Sequence, residues 1–127
     1  MSSAFKVHEF ICWGSTATIE DMLSRIADLS CKIFGPNDPL SIYLAKERSL
    51  YWGGKVVEFQ EPKISLFRVA AVLDSARKEA LTSSAFTEIG VSWLNGTFKD
   101  FCTHVALVAQ VNRGQLFAQP GLPAAAG

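Results

Sequence analysis

Five side chains in this sequence could serve as a nucleophile, a general base or a soft metal ligand: Cys12, Cys31, Cys102, His8 and His104. Their spacing decides what they can do together. Cys102 and His104 are two apart in a segment expected to be helical, which sets them about 200° apart around the axis and rules out a thiolate–imidazole pair on one helix face. His8 and Cys12 are four apart in an expected strand, about 13 Å along it and too far to pair. A pairing across the fold, such as His8 with Cys102, is the arrangement that spacing leaves open. The cysteine separations of 19 and 71 fit neither a disulfide framework nor a CxxC pair, and no His or Cys stands at metal-ligand spacing. Gly53-Gly54 lacks the following helix and the Lys-Ser/Thr of a phosphate-binding loop. The sequence therefore predicts no catalytic residue, no metal and no cofactor, with the thiols buried and inert in apolar stripes.

The elements that must position these groups follow from periodicity. Phe5 to Trp13 alternates as one strand, with Phe5, Val7, Ile11 and Trp13 on one face and Lys6, His8, Phe10 and Cys12 on the other. Gly14-Ser15 breaks it, and Thr18-Ile19-Glu20-Asp21 has the form of a capping box opening a helix. The stripe Ile19, Met22, Leu23, Ile26, Leu29, Ile33 faces the core until Gly35-Pro36 stops the helix. Asn37-Asp38-Pro39 reads as a turn before a short strand from Leu40 to Ala45, and Leu50 to Phe59 is rich in strand formers, with Gly53-Gly54 either a two-residue hairpin turn or, the favoured reading, a bulge within one strand. Pro62 suits a helix start, and the spacing of Leu66, Val69, Leu73, Ala76 and Ala80 predicts a helix ending near Thr82. Phe86 to Leu94 reads as a further strand ending at the Asn95-Gly96 turn. Thr97-Phe98-Lys99-Asp100 then opens a third helix that runs to Arg113 with Gly114 as its cap.

That order predicts an α+β domain over residues 1–114, with the ferredoxin-like βαββαβ antiparallel sheet, helices on one face and an additional C-terminal helix. Residues 115–127 form an Ala-, Pro- and Gly-rich tail. In this plan Trp13 lies near Tyr51 and Trp52, while Trp93 lies at the opposite edge. RNA-binding proteins of that plan carry stacking aromatics on the third strand, but Trp52 to Phe59 supplies only Gly53, Val57 and Phe59 of their motif. The element order and Trp93-Leu94-Asn95-Gly96 also resemble blue-light flavin sensors. The Tyr, Asn and Gln that such a sensor places on its first strand, first helix and third strand are missing here, so no flavin is expected.

The third helix is unusual. Phe98, Phe101, Cys102, Val105, Val108 and Ala109 make one apolar stripe, and Leu107 and Val111 add apolar surface on a second face. Such a helix must be covered, either by the tail with Leu116, Phe117 and Leu122 or by another chain. Across the chain, 127 residues with 49% hydrophobic and 12 basic against 12 acidic side chains describe one folded domain without the long-range field that draws proteins to nucleic acid. No apolar run reaches the length of a membrane span or resembles a signal peptide, and free thiols fit a cytoplasmic setting. The expected role is a non-catalytic interaction or regulatory domain whose partner is another protein or itself. Its surface comprises His104, Leu107, Val111, Leu116 and Phe117, with a second face at His8, Phe10, Trp13, Tyr51 and Trp52. Two competing readings are a small enzyme or ligand sensor with an aromatic pocket near Trp13 and Trp52, and a nucleic-acid-associated regulator with a basic patch of Lys46, Arg48, Lys55, Arg77 and Lys78.

Overall fold

The computed structural model describes residues 2–50 and 54–117, with side chains through Asn112. The fold is α+β, and its elements run β1 (Ser2–Val7), β2 (Phe10–Ser15), α1 (Thr16–Phe34), α2 (Pro39–Ser49), β3 (Val56–Phe59), α3 (Leu66–Thr82), α4 (Glu88–Asn95) and α5 (Thr97–Phe117). The three strands form a mixed sheet in the order β2-β1-β3, in which β1 pairs antiparallel with β2 and parallel with β3. The four-stranded βαββαβ plan expected from the sequence is not found among the described residues.

Three local decisions account for the difference. The single strand over Phe5 to Trp13 is instead a hairpin, turned at His8 and Glu9, with His8 at φ 51. Because Val7 pairs with Phe10 and Phe5 with Cys12, the turn inverts the alternation. Cys12 is buried beside Phe5, while Ile11 and Trp13 point to the solvent side. Leu40 to Ala45 is helix rather than strand. Asp38 caps α2 by accepting from the Leu40 N–H at 3.0 Å, Pro39 occupies the first turn, and the buried positions are Leu40 and Ser41 with Leu44 one helical turn on. Phe86 to Leu94 likewise yields α4, because Thr87 accepts from the Gly90 N–H at 3.2 Å and starts a helix that strand-forming Ile89, Val91 and Trp93 do not prevent.

Other boundaries shift less. Ser15 rather than Thr18 caps α1, accepting from the Thr18 N–H at 3.2 Å, and Ile33 of the expected core stripe is exposed. Gly35 ends α1 at φ 91, where a side chain would be strained. Leu50 caps α2 and β3 runs from Val56, residues 51–53 of the expected strand lying outside the described residues; Ser65 rather than Pro62 opens α3; and α5 continues through Gly114 to Phe117.

The core lies between one face of the sheet and the helices. Phe5, on the central strand, has its ring centroid 6.0 Å from Phe59 of β3 and 6.0 and 6.3 Å from Phe98 and Phe101 of α5. Ser30 and Ser41 hydrogen-bond at 2.7 Å inside the α1–α2 contact, and Arg25 of α1 reaches Asp21 at 2.9 Å and Glu79 of α3 at 3.3 Å. Trp93, expected far from Trp13, in fact donates its indole N–H to the Trp13 carbonyl at 2.7 Å and stacks on Phe98 at 5.0 Å.

Gly14 makes that contact possible. A Cβ there would stand 3.1 Å from both Ile19 Cδ1 and Trp93 Cζ2, and the indole is held by its hydrogen bond and its stack. Gly14→Ala should destabilise by about 1–3 kcal/mol. Trp93→Phe, which removes the indole donor as well as bulk, should cost at least about 1 kcal/mol. Because Trp93→Phe also makes room for the new methyl, urea unfolding of the double variant should show a loss smaller than the sum of the two. Strict additivity would contradict this packing.

Candidate interaction surface

The helix-free face of the sheet is a short grid set by strand register. Trp13, Ala4 and Val56 form one row and Ile11, Lys6 and Glu58 the next. Lys6 and Glu58 face each other at 3.9 Å, while Ile11, Trp13 and Val56 are exposed. Both outer edges of the sheet are touched by an aromatic donor: the Trp93 indole on the Trp13 carbonyl of β2 and the Tyr43 hydroxyl on the Glu58 carbonyl of β3. These contacts occupy carbonyls that an added strand would need.

On the other side of the hairpin the sequence-predicted residues partly converge. Phe10 lies on the core side of β2, where its ring stacks on His104 of α5 at 4.6 Å and meets Phe101 at 5.9 Å. His8, Glu9, Phe10, His104 and Val108 line a groove of about 600 Å³ between the hairpin tip and α5. The face expected at His8, Phe10 and Trp13 is therefore split: His8 and Phe10 join His104, and Trp13 stands on the opposite face of the sheet. Tyr51 and Trp52 lie outside the described residues, as do the side chains of Leu116 and Phe117.

Leu107 and Val111 follow His104 along α5, one turn apart, and are 55% and 56% exposed. From Phe101 to Asn112 the helix carries no Asp, Glu, Lys or Arg. A solvent-facing helix surface without formal charge over that length is atypical, because exposed positions in a globular protein are largely charged or polar. Sequence reasoning missed Ile11 and Val56 as surface residues. The only signal for Ile11 would have been a turn at His8-Glu9, a dipeptide that is no strong turn former.

The chemically active groups are apart or sequestered. Burial pushes the Cys12 thiol up to about 12, with the nearby Cys102 adding to the shift. Burial also raises Cys102 to about 12, its effect opposed by the Arg77 guanidinium and reinforced by Asp74. Among the described residues no three His, Cys, Asp or Glu side chains come together to hold a metal ion. The basic patch considered from sequence is largely neutralised: Arg48 pairs with Asp28 at 2.8 Å, Lys55 with Glu47, and Lys78 with Asp74 at 3.0 Å, while Arg77 lies 3.8 Å from Asp74. No helix among the described residues is long and apolar enough to cross a membrane.

A thiol raised this far stays protonated at pH 8, and the thiolate is the reactive form. A disulfide exchange reagent at pH 8 should therefore titrate Cys31, which is part-exposed, quickly, and reach Cys12 and Cys102 only on unfolding. Since the folded state holds both thiols neutral above their ordinary value of 9.0, their contribution to stability is complete below that pH and is lost as pH rises toward about 12. Rapid labelling of three thiols in the folded protein would contradict this.

Compared with known proteins, the chain matches no family model, no curated sequence and no solved structure.

Proposed function

We propose that the protein is a non-catalytic interaction domain that self-associates through the exposed face of α5, and that this assembly is its working form. The observation that carries the reading is the pair Leu107 and Val111, each more than half exposed on a helix face with no formal charge from residue 101 to 112. Burying such a face gains about 25 cal/mol per Å² of apolar surface removed from water. Charge argues for a second copy of the same chain as the occupant. Like charges do not meet when an uncharged face packs on its own copy, and 12 basic residues against 12 acidic leave the whole chain without net repulsion. The natural arrangement is isologous, with one α5 against the other across a twofold axis. Phe10 stacked on His104 extends the same surface to the hairpin tip, and the fixed hairpin and helix present it without a cost of ordering loops.

Sedimentation of the wild type and of Val111→Glu tests this. Val111 is exposed, so the substitution should leave the melting temperature within a few degrees while shifting the protein from dimer to monomer. The dimer should weaken at least about 100-fold, since one uncompensated buried carboxylate costs about 3 kcal/mol or more. A wild type that is monomeric at all concentrations, or a Val111→Glu protein that remains dimeric, would overturn the reading. Binding of a different protein through the same residues would replace the second copy as occupant.

A further inference from the structure

A groove of about 640 Å³ runs between α3 and α5, with Arg77, Lys99 and Asp74 among its polar lining and Ala70, Ala71 and Ala106 among its apolar lining. Arg77 is the residue that needs an explanation. Its side chain is only 14% exposed, so it has lost most of its hydration, yet its nearest carboxylate oxygen, on Asp74, is 3.8 Å away. Its hydrogen bond to Asn95 is long at 3.4 Å, and its Nε is shut off from solvent with no hydrogen-bond partner. Asp74 is held more closely by Lys78, at 3.0 Å. A guanidinium this far buried is ordinarily matched by a well-placed carboxylate, because an unmade bond to a buried charge is costly. Lys99, exposed at the groove, forms no ion pair among the described residues.

With Asp74 held by Lys78, Arg77 and Lys99 present positive charge to the groove that no carboxylate there matches closely. The alanines give the groove an apolar wall, and the volume falls in the range of small-molecule sites. We propose that the α3–α5 groove binds a small amphipathic monocarboxylate, its carboxylate accepting hydrogen bonds from Arg77 and Lys99 and its slim alkyl body lying along Ala70, Ala71 and Ala106. A carboxylate can accept from both cations, and the alanine lining favours a ligand with an alkyl body over inorganic phosphate. Neither cation is among the His104, Leu107 and Val111 of the proposed self-association face, although Thr103 of the groove lies one turn before Leu107.

Hexanoate is the probe, followed by amide NMR shifts of the full chain. Saturable shifts are expected in residues 70–77 and 99–106. Arg77→Gln should weaken the affinity at least about tenfold and Lys99→Gln several-fold, and 1-hexanol, which lacks the carboxylate, should not saturate the site. Because Lys99 is exposed, its variant keeps the test valid even if Arg77→Gln does not fold. The proposal is overturned if no saturable shift appears, if hexanol binds as well as hexanoate, if Lys99→Gln binds unchanged, or if inorganic phosphate binds the same residues at least as tightly.

Discussion

The rings gathered around Phe5 are the constraint on which the rest of the structure depends. Phe5 sits on the central strand and touches Phe59 on one neighbouring strand and Phe98 and Phe101 on the last helix, so a single side chain ties the middle of the sheet to both chain-distant elements. Removing such a ring from a close-packed core typically costs about 3–5 kcal/mol, a large share of the stability of a domain this size. Phe101 then extends the cluster to Phe10, and Phe10 to His104. The rotation of α5 about its axis is fixed by these contacts. Once Phe98, Phe101, Val105 and Ala109 face inward, helical geometry places Leu107 and Val111 outward.

The edges of the sheet obey a second constraint. A three-stranded sheet has two edge strands that could recruit other chains, and here each has an outward carbonyl occupied by an aromatic side chain, Trp93 on one edge and Tyr43 on the other. Gly14 gives Trp93 the clearance to do this. The effect is to leave fewer free backbone acceptors at the strand edges for an added strand.

Much of this was legible in the sequence where a cap and a periodic stripe agreed. The end of α1 at Gly35, the span of α3 to Thr82, the start of α5 at Thr97 and the apolar second face at Leu107 and Val111 all follow from such agreement. The errors came where β-forming composition outvoted a cap. Ile42 and Tyr43 suggested a strand although Asp38-Pro39 is a helix start, and Ile89, Val91 and Trp93 suggested another although Thr87 could cap. The hairpin was hidden for a different reason. His8 takes a left-handed conformation that its type does not advertise, and the apolar alternation runs through the turn with only its parity changed. That parity decides the surface: it sends Trp13 to the open sheet face and Phe10 to His104, which no composition argument distinguishes. The loose partnering of Arg77 was equally invisible, because it depends on the distance between α3 and α4 rather than on residue type.

The central claim is that the α5 face of one chain rests on the α5 face of another. Isotope-filtered NOE spectroscopy on a mixture of carbon-13-labelled and unlabelled protein observes only contacts between copies, and so tests that claim without altering a residue. Cross-copy NOEs from the methyl groups of Leu107 and Val111 to α5 protons of the other copy are the result predicted. Their absence at concentrations where the protein is dimeric, or cross-copy contacts confined to Ile11, Trp13 and Val56 on the open sheet face, would contradict it.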